Sequence, residues 1–324
     1  MRDMSETRST ADHRPTLMTV HAHPDDEIIG TSGVMVRAIR EGKRAVLVTC
    51  TRGELGEIVI PELDTEENHR RLGEMRAAEL EAAMGELGVT EWENLGYRDS
   101  GMMSDPGNRD PRCFWQAPID DAARRLVWLI RQYRPDVVTT YNDFGSYGHP
   151  DHIQVHRVTL PAFERAGDPS WYPEQIAPEH GGTGPSLAEG GLAPWAPSKL
   201  YEQAWDPEMR ARMMEELQAR GIPSFWDPPE GATPEQLAQW EAYQKLMWID
   251  PATITTRVDV SAFVKERFAA LACHATQIST DNPLFALGPD AWRELGAHEA
   301  FVRIRSSVDA PTPEDDLFAG IPGA

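Results

Sequence analysis

The sequence predicts an α/β protein with a Rossmann-like, open and mostly parallel sheet that carries helices on both faces. Short apolar runs alternate with longer segments whose apolar residues recur at helical spacing. Alternating segments of these two kinds, separated by glycine and proline, are typical of βαβ units. A smaller α+β portion is predicted towards the C-terminus. At 324 residues, 40% of them hydrophobic and 26% charged, the chain can bury a full core without a disulfide or a structural metal.

The first half of the chain alternates four predicted strands with four predicted helices. The helix at 70–87 has Leu72, Leu80 and Met84 on one side and ends at Gly88. Proline ends the helix at 119–133 and is expected to kink the helix at 152–165. In chain order the elements are strand 17–21, helix 31–41, strand 45–51, helix 70–87, strand 91–97, helix 119–133, strand 137–141 and helix 152–165.

The second half begins with a Gly- and Pro-rich stretch at 167–197, which predicts a long loop or insertion. The acidic tail after residue 306 is expected to lie along the surface. The chain is thus divided into a loose tail at 1–15, a core at 16–166 and a C-terminal portion at 167–320 that belongs to the same structural domain. The predicted C-terminal elements are strand 199–204, helices 207–220 and 234–248, strand 253–260 and helix 261–276.

The formal net charge of −21 limits the classes of partner. An acidic surface repels phosphate backbones and anionic headgroups, which excludes nucleic acid and membrane surfaces as general partners. No apolar run approaches the roughly 18 residues of a spanning helix, and the start of the chain lacks a signal peptide's apolar core. Cys50, Cys113 and Cys273 form neither a disulfide framework nor a zinc pattern, so a cytoplasmic location is expected. A homo-oligomer remains compatible with the sequence.

Two related motifs follow predicted strands, His23-Pro24-Asp25-Asp26 and His149-Pro150-Asp151-His152. A single His-Pro-Asp is usually a turn held by an Asx hydrogen bond. In open α/β sheets, however, ligands bind in the crevice at the carboxyl ends of the strands. Two such motifs at two strand ends therefore predict that both contribute to one site.

The residue types in these motifs suit a catalytic divalent metal. His23, Asp26 and His152 offer two imidazoles and one carboxylate, which is a zinc ligand set that leaves a position for water. His21 is a rival ligand, because it lies two residues before His23 and shares its face of the strand. His156 lies one helical turn after His152 and is interpreted as a packing or solvated residue.

The remaining motif residues are candidates for proton transfer. Asp25 cannot easily bind the same metal in the same way as its neighbour, and we expect it to act as general base towards the attacking water. His149 lies on the second turn, close enough to donate a proton or a hydrogen bond to the reacting group. Asp151 is expected to orient His149 through its other ring nitrogen.

These motifs resemble those of the PIG-L/LmbE-type metal-dependent N-deacetylases. Within that superfamily the chain is similar to the mycothiol branch, which holds mycothiol S-conjugate amidases and acetylglucosaminyl-inositol deacetylases. The resemblance covers roughly residues 16 to 320. It rests on the two motifs above and on Thr51-Arg52-Gly53-Glu54-Leu55-Gly56-Glu57, Tyr97-Arg98-Asp99-Ser100-Gly101, Thr139-Thr140-Tyr141-Asn142, Tyr147-Gly148-His149, His274-Ala275-Thr276-Gln277 and Asp315-Asp316-Leu317-Phe318-Ala319-Gly320.

The resemblance implies zinc, with ferrous iron as the alternative, on the three ligands named above and the same general base. It implies that Tyr147 and His149 polarise the amide carbonyl. The branch's sugar-binding positions match Arg76, Asp99 and, more weakly, Glu57. The implied partner is a small-molecule N-acyl amino sugar.

The implied activity is hydrolysis of the amide bond of an N-acyl glucosaminide. The summed similarity favours an amidase like those that act on mycothiol S-conjugates, with an N-acetyl amino-sugar deacetylase as the alternative. Ile28 and Ile29 stand where the resemblance leads us to expect a lysine nearby or a serine-containing run, which leaves the substrate open. Two other classes compete. A non-haem iron oxygenase would use Asp25 in its facial triad, and a non-catalytic sugar-binding module would have lost a ligand or the base.

Overall fold

A computed structural model arranges the chain around one seven-stranded sheet, described for residues 13–182, 191–224, 226–228, 230–295 and 298–324. The strands are β1 (Thr16–His21), β2 (Arg44–Thr49), β3 (Glu91–Asn94), β4 (Val137–Thr140), β5 (Lys199–Ala204), β6 (Thr256–Asp259) and β7 (His298–Ser306). Their order across the sheet is β3-β2-β1-β4-β5-β7-β6. The first five are mutually parallel, and β7 runs antiparallel to both of its neighbours. The predicted α/β class with a mostly parallel sheet is confirmed.

Helices cover both faces of this sheet, and each face has its own apolar core. One core contains Met35, Met84 and Leu271, and the other contains Leu126 and Val155. The helices are α1 (Asp26–Gly30), α2 (Ser32–Arg40), α3 (Glu66–Leu87), α4 (Ile119–Tyr133), α5 (Gly145–Gly148), α6 (Pro150–Arg165), α7 (Pro207–Arg220), α8 (Pro234–Leu246), α9 (Val264–Cys273) and α10 (Pro283–Leu295).

The centre of the sheet determines where the site lies. β1 is buried along its whole length, and Leu17 is in register with Ala45 of β2 and with Val137 of β4. From β1 the chain winds outwards through β2 and β3, and then returns to the other side of β1 as β4. Strand order therefore reverses between β1 and β4. Ligands bind at such a switch point in open α/β sheets, just beyond the carboxyl ends of the strands.

Strand β7 was not predicted from the sequence. Its nine residues include Glu299, Arg303 and Arg305, and this charge obscures an apolar alternation. Of these three residues only Glu299 is buried, and hydrogen bonds compensate its charge. Glu299 accepts hydrogen bonds from the main-chain N–H groups of Gly33 and Val34, at 2.8 Å each. With this charge satisfied, β7 can pair with β5 on one side and β6 on the other.

The prediction that the tail after residue 306 lies along the surface agrees with 307–313, none of which is buried, but is wrong for the segment that follows. Leu317 and Phe318 are buried in one of the two cores. Glu314 is buried as well and lies 2.5 Å from Nζ of Lys199 and 2.7 Å from a guanidinium nitrogen of Arg303. Apolar burial together with this ion pair ties the tail to the sheet.

Two other predicted segments are only partly described. Of the predicted tail at 1–15, residues 1–12 lie outside the described residues. Within the predicted loop at 167–197, the structure describes two short 3₁₀ turns, Pro173–Gln175 and Pro178–His180, whereas 183–190 lie outside the described part. In the described portion of the chain, no helix is both long and apolar enough to cross a bilayer.

Candidate metal centre

The first motif forms a tight turn directly after β1. The carboxylate oxygen Oδ2 of Asp26 accepts a hydrogen bond from the main-chain N–H of His23 at 2.8 Å. Asp25 between them has a φ of 107°, in the left-handed region. Such a conformation costs a non-glycine residue on the order of 1–3 kcal/mol and commonly marks a functional site. The turn directs the Asp25 and Asp26 carboxylates to different partners.

The three predicted ligands come together. Nδ1 of His23 lies 3.4 Å from Oδ2 of Asp26, and Nε2 of His152 lies 3.3 Å from Oδ1 of the same carboxylate. His152 is delivered by the first turn of α6, where Pro150 occupies a position that needs no N–H donor. All three side chains are almost fully buried. The two strand-end motifs therefore meet at a single cluster of two imidazoles and one carboxylate.

The cluster has the donor chemistry that a divalent cation needs. The ligating atoms of His23, His149 and His152 lie within 4.8 Å of one another, and Asp26 contacts two of these rings. Burial opposes the charged form of His23, but Asp99 and further carboxylates raise its pKa well above the ordinary value. An environment that stabilises a positive charge this strongly, with imidazole and carboxylate donors, fits a metal ion of the zinc or iron(II) kind.

Asp151 has a different partner from the one expected. Its Oδ2 lies 3.2 Å from Nε2 of His23 and accepts a hydrogen bond from the main-chain N–H of Ser100 at 2.9 Å. Its Oδ1 is hydrogen-bonded to the Ser100 hydroxyl. The expectation that the Asp151 carboxylate orients His149 is therefore corrected. Because the carboxylate points to the other strand-end motif, it orients a predicted metal ligand, the usual arrangement behind a metal-bound histidine.

His149 receives its orientation from the main chain. The N–H of Asp151 donates to Nδ1 of His149 at 3.1 Å, which assigns the ring proton of the neutral form to Nε2. Burial, with His23 and His152 nearby, lowers the pKa of His149 to about 2. His149 is thus a neutral hydrogen-bond donor at neutral pH.

Tyr147 is presented by an irregular turn between β4 and α6. Ser146 has a φ of 64°, and the non-helical conformations of Ser146 and Tyr147 interrupt the short helix α5. The Tyr147 hydroxyl lies 3.3 Å from Nε2 of His152, so it stands at the edge of the metal cluster. Burial, reinforced by Asp26 and Asp25, raises the pKa of Tyr147 well above its ordinary value. The hydroxyl therefore stays protonated and can donate a hydrogen bond.

Arg76 contacts the predicted base, which the sequence did not indicate. One guanidinium nitrogen lies 3.1 Å from Oδ2 of Asp25 and donates to the carbonyl oxygen of Pro24 at 2.6 Å. The other donates to the carbonyl oxygen of Gly53 at 2.9 Å. Gly53 has a φ of 64°, and a Cβ there would lie 2.0 Å from that nitrogen of Arg76. Arg76 is 4% exposed and contacts Asp25 and two main-chain carbonyl groups, whereas its part in sugar binding stays a prediction.

Of the adjacent carboxylates of Asp25 and Asp26, that of Asp25 is the more exposed, with 23% of its side chain accessible. Burial and the adjacent Asp26 raise its pKa to about 6, although the Arg76 guanidinium opposes this shift. A partly exposed carboxylate that is adjacent in sequence to Asp26 and is not bound to the three predicted ligands is available to accept a proton.

The other two predicted sugar-binding residues differ in position. Oδ1 of Asp99 lies 3.7 Å from Nε2 of His23, and its carboxylate also accepts hydrogen bonds from the N–H groups of Gly101 and Leu55. Glu57 is exposed on the loop after β2, and its carbonyl oxygen accepts a hydrogen bond from Gln277. The structure thus brings Asp99 into the cluster, whereas no hydrogen bond or ion pair within the described residues joins the Glu57 carboxylate to it.

Two residues of the site were missed by sequence reasoning. Tyr141 stacks on His152, with ring centroids 4.2 Å apart, and its hydroxyl lies 3.2 Å from Nδ1 of His21. Nε2 of His21 contacts Thr31 at 2.8 Å, so both nitrogens of this rival ligand have other partners. The second missed residue is Ser100, the partner of Asp151. Both residues lie in segments quoted for the family resemblance, and that was the only signal that pointed to them.

A mostly apolar cavity of about 100 Å³ adjoins the cluster. Asp26, Tyr147 and His152 form the wall on the metal side. Opposite them are side chains from the β5–α7 segment and α10, including Trp205, Met213 and Trp292. An apolar group attached to a reacting carbon at the cluster could therefore be buried in this cavity.

Comparison with known proteins identifies the family. The family described as PIG-L, GlcNAc-PI de-N-acetylase, matches residues 18–163. A protein of Geodermatophilus obscurus named 1D-myo-inositol 2-acetamido-2-deoxy-alpha-D-glucopyranoside deacetylase is 38% identical over 320 residues, which cover 95% of this chain and 98% of the relative. The chain belongs to the PIG-L family. A Thermobifida fusca protein of the same name is 40% identical over 316 residues, covering 94% of this PIG-L chain and 98% of the relative.

The fold of this PIG-L protein also occurs among solved structures. The N,N'-diacetylchitobiose deacetylase of Pyrococcus horikoshii aligns with a TM-score of 0.56 at 17% identity, over 90% of this chain and 84% of the other. Membership of the family makes the protein a hydrolase that acts on carbon–nitrogen bonds other than peptide bonds. The family resemblance predicted from the two strand-end motifs is confirmed.

Proposed function

We propose that the protein is a zinc-dependent deacetylase that removes the acetyl group from an N-acetylglucosaminyl inositol. The two relatives named for this reaction support it, because each aligns with more than nine-tenths of the chain. They favour the deacetylase alternative over the S-conjugate amidase that the sequence analysis preferred. The observation that carries the proposal is the convergence of His23, Asp26 and His152. Asp25 is adjacent to Asp26 in the same turn, and the Tyr147 hydroxyl contacts His152.

In the proposed reaction, His23, Asp26 and His152 hold the metal, and Asp151 orients His23. When bound, such a metal polarises the amide carbonyl and makes a nearby water a stronger nucleophile at neutral pH. Asp25 accepts the proton of the attacking water, and the contact with Arg76 holds its carboxylate in place.

The oxyanion that develops at the carbonyl needs hydrogen-bond donors. The Tyr147 hydroxyl and the Nε2–H of His149 fill this role, since both are kept protonated and neutral by their surroundings. A well-placed donor of this kind contributes about 3–4 kcal/mol to transition-state stabilisation. The departing amine receives the proton that Asp25 has taken from the attacking water.

A second candidate activity is amidase action on a larger acyl group, as in an S-conjugated N-acylcysteinyl glucosaminide. The apolar cavity of about 100 Å³ favours it, because this volume exceeds what a water molecule occupies and approaches that of cavities that bind a benzene ring. The cavity lies beside Tyr147 and His152, where the acyl carbon would be held.

The experiment compares the two substrates directly. The zinc-loaded protein is incubated with N-acetylglucosaminyl inositol and, separately, with an S-conjugated N-acylcysteinyl glucosaminyl inositol, and the free amine released is measured. We expect faster release from the acetylated substrate. Faster release from the conjugate would favour the amidase, and no release from either would refute both activities.

Two variants test the roles of individual residues. Asp25→Ala should retain one equivalent of zinc and lose most turnover, whereas His152→Ala should lose the metal. Metal analysis after gel filtration separates the two effects. Near-native turnover by Asp25→Ala would show that another group is the base.

A further inference from the structure

The segment that follows α9 contains a buried residue with no part in the reaction outlined above. Nε2 of His274 lies 2.9 Å from Oε1 of Glu27, and both side chains are completely inaccessible to solvent. The two residues are 247 positions apart in the chain. The contact therefore joins the C-terminal half of the protein to the turn that carries the predicted base.

The other carboxylate oxygen of Glu27 continues the connection. Oε2 accepts a hydrogen bond from the main-chain N–H of Asp25 at 3.0 Å. Asp25 is the residue with a φ of 107°, a conformation that persists only where its surroundings enforce it. Arg76 forms an ion pair with the Asp25 carboxylate and donates to the carbonyl oxygen of Pro24, but it does not contact the Asp25 N–H. Glu27 is the side chain that holds this N–H.

A buried carboxylate needs a partner to stay in place. Without one it takes up a proton or turns towards solvent, because desolvation penalises the isolated charge. Among the described residues, His274 is the only side chain that forms an ion pair or hydrogen bond with the Glu27 carboxylate. Loss of His274 would therefore free the Glu27 carboxylate and, through it, the Asp25 main chain.

We propose that His274 is a positioning residue that acts through Glu27 to hold Asp25 in its left-handed, reactive conformation. This inference rests on the proposed function, in which Asp25 is the base. Its effect should fall on the rate of the chemical step, because a displacement of about 1 Å at a reacting group can cost about a hundredfold in rate. Metal binding should persist, since none of the three predicted ligands contacts His274.

The test uses the full-length, zinc-loaded protein and N-acetylglucosaminyl inositol. His274→Leu removes the donor at similar volume, whereas His274→Gln keeps an N–H group that can reach Glu27. We expect kcat to fall about 10- to 100-fold in His274→Leu, with KM within about twofold of wild type, and to be largely restored in His274→Gln. Zinc content should remain one equivalent in both variants.

The matched control is Thr276→Val, two residues further along the same segment. The Thr276 hydroxyl donates to Oε2 of Glu79 at 2.7 Å, a hydrogen bond to a carboxylate that does not lead to Asp25. It should lower the melting temperature without changing kcat. If His274→Leu does not fold, Glu27→Leu replaces it, because it removes the acceptor of the Asp25 N–H and should lower kcat in the same way.

A second readout does not depend on turnover. In a crystal structure of His274→Leu, or of Glu27→Leu where the first does not fold, Asp25 should no longer have a φ near 107°. A folded, zinc-loaded His274→Leu protein with wild-type kcat and an unchanged Asp25 would overturn the inference and leave the proposed function intact. A wild-type protein that releases no amine would instead refute the proposed function.

Discussion

Nε2 of His23 lies 3.2 Å from a carboxylate oxygen of Asp151, and this contact joins the two strand-end motifs behind the metal cluster. Asp151 is completely buried and also holds Ser100. The carboxylate fixes the tautomer and ring orientation of His23, which leaves Nδ1 facing Asp26. The position of a predicted metal ligand is thus determined by a residue on the side of its ring opposite Asp26.

Asp151→Asn should weaken zinc binding by about 10- to 100-fold, because an amide stabilises the ligating form of His23 less well than a carboxylate does. Titration of the zinc-loaded protein with a competing chelator measures the effect. Asn108→Ala serves as the control. The side-chain amide of Asn108 donates to the main-chain carbonyl oxygen of Ser100, but it does not contact His23. Equal zinc affinity in wild type and Asp151→Asn would contradict this role.

Tyr147→Phe should reduce kcat about 10²- to 10³-fold and raise KM much less, because the hydroxyl acts mainly on the developing oxyanion. Steady-state kinetics with the acetylated substrate measure both constants. Tyr133→Phe is a suitable control, because its hydroxyl contacts Glu93 at the far edge of the sheet. A Tyr147→Phe variant that changes KM alone would assign the hydroxyl to substrate binding instead.

Glu314→Ala should destabilise the protein by about 3–5 kcal/mol, because it leaves the fully buried Lys199 ammonium without its carboxylate. The adjacent Asp315 is exposed, so Asp315→Ala should change stability by less than about 0.5 kcal/mol. Urea unfolding of both variants gives the comparison. Similar unfolding midpoints for the two would mean that the tail contributes little to the fold.

Glu202 on β5 should make stability depend on pH. Burial and the nearby Asp143 raise the pKa of Glu202 from 4.5 to about 7, although Arg305 opposes the shift. Between these two values the folded state binds more protons than the unfolded state, so this contribution to stability is complete below pH 4.5 and is lost as pH rises to about 7.

Glu202→Gln removes this titration. The melting temperature of the variant relative to wild type should therefore increase as the pH is raised from 5 to 7.5. Glu164, an exposed carboxylate that also contacts Arg305, provides the control variant Glu164→Gln. A constant difference in melting temperature across this range would show that Glu202 titrates at its ordinary pKa.

Much of the site could be predicted from the sequence because its main parts are local. Each His-Pro-Asp motif is a short turn after an apolar strand, and parallel strands end at the same edge of a sheet. This was enough to bring His23, Asp26 and His152 together. The pattern of α4 is equally local, and its predicted bounds, 119–133, agree with the structure.

The failures have a common physical cause. Strand β7 and the buried tail carry charges that look like surface residues, and they are buried only because distant partners compensate them. Asp151 was given the wrong partner, and the contact of Arg76 with Asp25 was not foreseen, for a related reason. Residue type shows that a side chain can donate or accept, but not which group it will face.

The sequence by itself determined the alternating α/β pattern, the two strand-end turns and the family, since all three are encoded in residues close together in the chain. Only the tertiary structure decided which groups surround Asp25, where Arg76 arrives from α3 and the Glu27–His274 pair spans 247 positions. Burial makes such pairings obligatory, because a charge removed from water must meet its complement. Which complement it meets depends on how the whole chain packs.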